Sequence, residues 1–147
     1  MLECTRADKT ITWCKIQPGM VLHDLGHYVV ETTLGFTDAF YGLIAAGWDI
    51  ADFEKPRERR PTPLLPKNLP EEALLTEHIV NMLITSMQPG TDLDSIYTSL
   101  KTELKTADFA TQLNLNFIHF KRMQEDLQRL WTRWQVISDK ETLELQF

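Results

Sequence analysis

The chain has 147 residues, of which 43% are apolar and 24% are charged, as is usual for a folded globular domain. It carries 15 basic and 21 acidic residues, a formal charge of −6. A protein that binds nucleic acid or an anionic membrane surface needs a basic face, so we expect neither partner. No apolar stretch approaches the ~18 residues that a membrane span requires.

The N-terminal residues 1–6 carry no pattern of a secretory signal. Residues 10–16 mix β-branched and aromatic side chains, which is typical of a strand, and Pro18 and Gly19 end it. Cys4 and Cys14 form neither a CxxC pair nor a disulfide framework. We therefore expect reduced thiols and a cytoplasmic protein.

Two helices are predicted next. Residues 20–34 are apolar on nearly all faces, which indicates a buried helix, and Gly35 is a natural C-cap. Thr37 can cap a second helix over residues 38–48. The short link between the two predicts an αα-hairpin.

Residues 49–70 hold five of the seven prolines, which predicts a Pro-rich surface loop within a single domain covering residues 1–147. The basic side chains of this loop are either a solvated surface or a docking patch for an acidic partner. They are Lys55, Arg57, Arg59 and Arg60.

Apolar periodicity predicts three further helices, at about residues 71–87, 93–104 and 107–136. Residues 143–147 alternate between apolar and polar, which is typical of a half-buried strand able to pair with residues 10–16. We expect a mainly α fold. It would be a single domain of four to five helices with a small two-stranded antiparallel β-ribbon formed by the chain termini.

The segment His23-Asp24-Leu25-Gly26-His27 carries the main indication of chemistry. Side chains four residues apart on a helix are about 40° apart around the axis and ~6 Å apart along it, so two imidazoles can converge on one cation. Zinc accepts nitrogen ligands at about 2.0–2.1 Å. The alternative is a buried helix in which Asp24 favours the helix dipole and His27 makes one hydrogen bond.

The H-D-x-x-H pattern resembles the HExxH signature of the zincin metallopeptidases. The resemblance implies that His23 and His27 bind zinc or another divalent metal and that Asp24 is the catalytic base. Aspartate stands where that family has glutamate, which shortens the reach by one methylene. The longer stretch of residues 23–31 looks like a helix found in small uncharacterised bacterial proteins, a resemblance that implies a shared site and names no activity.

A zinc site needs at least one more ligand. His78 is predicted to be that metal ligand, because it lies on the apolar stripe of the helix at residues 71–87. Glu77 shares a more polar face and is less suited. Glu31 continues the spacing after His27 as the acceptor that orients this imidazole, or as an alternative ligand on a bent helix.

Two functions remain open on the sequence alone. One is a divalent-metal-binding protein, with metal-dependent hydrolysis of an unknown substrate as a candidate activity. The other is a non-enzymatic interaction module that uses the Pro/Arg-rich loop. The position of the histidines discriminates between them, because a shared pocket favours the first and separate core positions favour the second.

Overall fold

The computed structural model describes residues 1–107, 109, 113, 115–138 and 141–147, and its fold is mainly α, as predicted. Single 3-10 turns lie at Pro18–Met20, Thr62–Leu64 and Pro66–Asn68. The strands are β1 (Leu2–Thr5) and β2 (Ile11–Cys14); the helices are α1 (Val21–Leu34), α2 (Phe40–Ala45), α3 (Ile50–Glu54), α4 (Glu71–Ser86), α5 (Leu93–Thr106) and α6 (Phe117–Val136).

Helix α1 lies at the centre of the fold, packed against α4 and α6. Val29 and Val30 of α1 are buried in the main apolar core, as its composition predicts. Gly26 allows α4 to come close, because a Cβ atom at this position would lie 2.9 Å from Cγ1 of Val80. Gly35 ends α1 with φ +69°, which confirms the predicted C-cap.

The β-ribbon is a local hairpin, and the prediction that both chain termini form it was wrong. β1 pairs antiparallel with β2, with Leu2 opposite Cys14. Closing this short turn costs less chain entropy than pairing residues more than a hundred positions apart. Residues 143–147 form no strand. They lie beside α1, where the Tyr28 hydroxyl donates a hydrogen bond to the Gln146 carbonyl at 2.9 Å.

Arg6, just after β1, ties the ribbon to the loops around α2 and α3. Its guanidinium donates hydrogen bonds to the carbonyls of Ile44 (2.7 Å) and Trp48 (2.6 Å) and to Oδ1 of Asp49 (2.8 Å). The planar fork of an arginine suits several acceptors at once. The ribbon is therefore fixed against the entrance of the chain into α3.

The bounds of α2 and the start of α6 differ most from the prediction. α2 begins at Phe40, two residues later than predicted, and ends at Ala45, three residues earlier. α6 begins at Phe117, where Asn116 accepts a hydrogen bond from the His119 backbone N–H at 2.9 Å and so caps the helix. Part of the predicted earlier start of this helix, at residues 108, 110–112 and 114, lies outside the described residues.

The Pro-rich segment of residues 49–70 was predicted as a loop, but it opens with the short helix α3, which ends before the first proline of the segment, Pro56. With α3 the described residues form six helices, one more than the four to five expected. After α3 the backbone forms two 3-10 turns, and Leu64, the last residue of the first turn, is buried. None of the helices in the described part of the chain combines the length and apolar composition of a membrane span.

Candidate metal centre

Three side chains from two helices converge on one point. His23 and His27 come from α1, and Glu77 comes from α4. Nε2 of His23 lies 3.5 Å from Oε2 of Glu77, and Nε2 of His27 lies 3.2 Å from Oε1. One donor atom from each residue lies within 4.8 Å of the other two, and among the described residues this is the one group of at least three histidine, cysteine or acidic side chains that is so close.

The local sequence explains why these groups meet. Positions 23 and 27 are one helical turn apart, and their rings lie with centroids 4.8 Å apart. Glu77 lies one turn before Val80, which packs on Gly26 between the two histidines. The close approach of α4 to α1 at this glycine therefore also brings the Glu77 carboxylate to the imidazoles.

The separations suit tetrahedral coordination. Ligand atoms about 2.0–2.1 Å from a tetrahedral zinc ion lie about 3.3 Å from one another. Glu77 uses a different oxygen for each imidazole: Oε1 lies 3.2 Å from Nε2 of His27 and Oε2 lies 3.5 Å from Nε2 of His23, each close to that value. As a set of one donor atom from each residue, the three atoms lie within 4.8 Å of one another, so the side chains would draw closer together around an ion. Two imidazoles and one carboxylate are also a ligand set that catalytic zinc uses.

Behind His27 stands a second carboxylate, Glu31, which is fully buried. Its Oε1 lies 3.3 Å from Nδ1 of His27. Its Oε2 accepts hydrogen bonds from the backbone N–H groups of Tyr41 (2.9 Å) and Gly42 (3.1 Å), at the start of α2. Glu31 therefore fixes the orientation of the His27 ring and lies on the side of that ring away from Glu77.

The two carboxylates determine the charge of His27. Burial alone would lower the pKa of His27, but hydrogen bonds with Glu31 and Glu77 outweigh it and raise the pKa to about 9. Hydrogen bonds with His23 and His27 lower the pKa of Glu77. Without a metal the cluster thus holds an imidazolium between two carboxylates, and a metal ion would have to displace the proton on Nε2.

Asp24 and the three converging side chains line one cavity. It is half-buried, and burial raises the pKa of its carboxyl while His23 and His27 act in the opposite direction. Its backbone carbonyl accepts a hydrogen bond from the Tyr41 hydroxyl at 3.2 Å. A carboxyl group with a raised pKa beside the candidate centre is the type of group that serves as a general base.

This cavity has a volume of about 450 Å³, within the usual range of small-molecule sites. It lies between the ribbon, α1, α3 and α4, so residues distant in sequence share its wall. His23, His27 and Glu77 occupy part of this wall together with Asp24.

The structure does not bring His78, the third predicted metal ligand, to this group. Its Nδ1 lies 3.3 Å from Oε1 of Glu103 on α5, and its ring packs edge-on against Phe109. The expected apolar stripe ran through Leu74, which is in fact 37% exposed. The face of α4 that is buried in the core is rotated by one residue from the expected stripe. His78 therefore points toward α5.

Glu77 is the functional candidate that the sequence pattern disfavoured. The signal that identifies it is the buried series Ala73, Thr76, Val80 and Leu83, which marks the face of α4 that packs into the core. Glu77 lies at the edge of this face, one turn from Ala73. A polar residue at the edge of a buried face can reach a neighbouring helix without being enclosed.

Comparison of the chain with known protein families, with curated proteins and with solved structures found no match. The geometry of the cluster and its cavity therefore carries the functional argument.

Proposed function

We propose that the protein binds a divalent metal ion, zinc in the first place, through His23, His27 and Glu77. The observation that carries the proposal is the convergence of three donor atoms, two imidazole nitrogens and one carboxylate oxygen, within 4.8 Å of one another. The buried Glu31 supports it, because ligating histidines usually donate their other ring N–H to a carboxylate or carbonyl. The cavity beside the cluster supplies room for a further ligand.

Hydrolysis is the activity that this arrangement favours. A divalent ion supplies Lewis acidity and lowers the pKa of a coordinated water. Asp24 is proposed to take a proton from the attacking water and to return it to the leaving group as the substrate bond breaks, so that one water is consumed for each bond cleaved. This role requires Asp24 to be ionised at the start of the step.

Metal content tests the first part. Protein purified without an affinity tag should contain about one equivalent of zinc or a similar metal, or take it up with a 1:1 stoichiometry in calorimetry. His27→Ala should abolish binding, because two ligands are too few for a zinc site. His78→Ala is the matched control on α4 and should bind as the wild type does. A wild type that takes up no metal would refute the proposal, and the cluster would then be a hydrogen-bonded part of the core.

The base is tested separately with Asp24→Asn. The variant should keep its zinc affinity, because Asp24 is not one of the three ligands, and should lose zinc-dependent hydrolysis of a chromogenic ester such as p-nitrophenyl hexanoate by about 100-fold or more. Equal hydrolysis by wild type and variant would remove Asp24 from the mechanism.

A second candidate function, the interaction module, is favoured by a specific feature of the Pro-rich loop. Arg57, Arg60 and Lys67 line a hollow of about 230 Å³ with Leu65 and Pro66. Within the part of the chain that the structure describes, none of these three cations has a carboxylate partner within 4.0 Å. Arginine clusters of this kind recognise acidic peptide motifs.

Binding of a short acidic peptide tests this second function. An oligoglutamate peptide should bind at low salt and lose affinity when Arg57 and Arg60 are replaced by glutamine. Binding that is independent of these two residues would exclude the loop as the docking site.

We propose the cytoplasm as the compartment. Cys4 and Cys14 are free thiols on one face of the ribbon, opposite Thr12 and Leu2 respectively, which makes them diagonal neighbours. Diagonal Cβ atoms are about 7 Å apart, whereas a disulfide requires about 4 Å. Reduced thiols are typical of cytoplasmic proteins.

A further inference from the structure

The cavity beside the candidate metal centre has walls that are largely apolar. Two ring contacts lead away from the histidines: the centroids of His27 and Phe40 are 5.7 Å apart, and those of Phe40 and Phe53 are 5.1 Å apart. Aliphatic side chains complete this wall around the rings. They are Leu43, Ile50, Leu69 and Ala73.

Beyond the cluster, few charged side chains line the cavity. They include both signs, so they do not favour a substrate of one charge. Lys15 and Glu54 line the cavity and are both exposed, so they belong to its mouth. Asp24 is the remaining acidic group and is committed to the proposed hydrolysis. A charged substrate group placed against the aromatic wall would lose its hydration without gaining a partner.

We infer that the cavity holds an uncharged apolar part of the substrate while the reacting bond lies at the metal centre. This inference rests on the proposed metal-binding function and names the substrate class: a small molecule with an alkyl or aryl group next to the cleaved bond. A volume of about 450 Å³ accommodates such a group.

Hydroxamates of different tails test the inference on the zinc-loaded protein, since the hydroxamate group anchors each probe to zinc and only the tail varies. Hexanohydroxamate should bind at least tenfold more tightly than acetohydroxamate, because each buried methylene contributes about fourfold in affinity. Benzohydroxamate should also bind at least tenfold more tightly than acetohydroxamate. The tail of 6-aminohexanohydroxamate is of similar length but charged, and this probe should bind no better than acetohydroxamate.

Wall variants locate the tail. Phe53→Asn should abolish the gain of hexanohydroxamate and leave acetohydroxamate unchanged, and Leu69→Asn, a half-buried wall position, serves the same purpose should Phe53→Asn fold poorly. Ile11→Asn is the matched control, because Ile11 is 55% exposed and does not line the cavity.

The outcomes distinguish failure of the substrate class from failure of zinc binding. Zinc binding with an affinity that is independent of tail length overturns the inference alone. Equal or tighter binding of the amino tail compared with the alkyl tail also overturns it, because the cavity would then accept a charged group. Failure of zinc to bind overturns the proposed function together with the inference.

Discussion

Glu31 is the residue on which the orientation of His27 depends. One of its oxygens faces Nδ1 of His27 and the other accepts the Tyr41 and Gly42 N–H groups. In Glu31→Gln the single amide oxygen stays with the backbone donors, and the amide NH₂ turns toward His27. Nδ1 then becomes an acceptor and Nε2 carries the proton, which a metal ion must displace before Nε2 can ligate it. Calorimetry should show zinc affinity reduced by about 10–100-fold.

Glu72→Gln is the matched control for this change. The carboxylate of Glu72 also accepts two backbone N–H bonds just before α2, from Thr37 and Asp38 at 2.8 Å each, but it is not part of the histidine cluster. Its substitution should leave zinc affinity within about twofold of the wild type. An equal loss in both variants would show that the start of α2, and not the imidazole tautomer, controls the site.

The charge of His27 makes the stability of the metal-free protein depend on pH. The pKa of His27 is about 9 in the folded chain, against an ordinary value of 6.5, so the protonated ring favours the folded state. The stabilisation is complete below about pH 6.5 and is lost as the pH rises through 9. The loss should be on the order of 2 kcal/mol, given that the partner Glu77 is half-exposed.

Chemical unfolding in the presence of a chelator, from pH 6 to 10, measures this dependence. His27→Gln should lose little stability up to about pH 8, since glutamine does not titrate. Above that pH both proteins should lose stability, because burial raises the pKa of the Cys4 and Cys14 thiols in the folded chain. A wild-type profile parallel to that of His27→Gln over the whole range would mean that His27 is already neutral at pH 7.

For individual residues, the sequence predicts the contacts between side chains one helical turn apart. The pairing of His23 with His27 follows from helical periodicity alone, and so does the position of Glu31 one turn beyond. Glu77 and His78 are adjacent on α4, and which of them faces α1 depends on a rotation of about 100° that the burial of Thr76 and Val80 decides. A single sequence records that rotation only weakly, and so it favoured His78, the neighbour that faces Glu103 of α5.

At the scale of elements, Gly42 holds α2 in the position that presents its N–H groups to Glu31. A Cβ atom at Gly42 would lie 2.2 Å from the Thr37 carbonyl oxygen, and backbone at that distance must move. Gly42→Ala should therefore destabilise the protein by at least about 2 kcal/mol in denaturant unfolding and weaken zinc binding with it. Gly19→Ala is the control, because nothing lies within 4 Å of the point that its Cβ atom would occupy, and the change should be nearly neutral.

Element boundaries follow the same distinction between local and distant causes. Gly35 ends α1 as predicted, because the left-handed conformation is a property of the residue itself. The pairing of β2 was misassigned, because residues 143–147 carry a clear alternation whereas the partner in the structure is the adjacent segment, residues 2–5. The short hairpin closure, with Arg6 tied to Trp48 and Asp49 just before α3, outweighed the alternation at the C-terminus.

For the whole molecule, the candidate site links the two helices that form the centre of the fold. His23 and His27 lie on α1 and Glu77 on α4, while the intervening chain includes α2, α3 and the Pro-rich loop. A metal ion that binds only the folded arrangement stabilises the packing of α1 on α4. Its effect is therefore global and is not confined to the cavity.

Thermal unfolding measures this coupling. At a free zinc concentration 100 times the dissociation constant, binding stabilises the folded state by about 2.7 kcal/mol, which for a chain of this length raises Tm by about 5–15 °C. The rise should grow with the logarithm of the zinc concentration. It should disappear in His27→Ala and persist in His78→Ala, whose imidazole faces Glu103 in the wild type. A wild-type Tm that stays constant as zinc is added would mean that zinc does not bind the folded state in preference to the unfolded state. The contacts of Glu77 with His23 and His27 would then be hydrogen bonds and ion pairs without a metal ion.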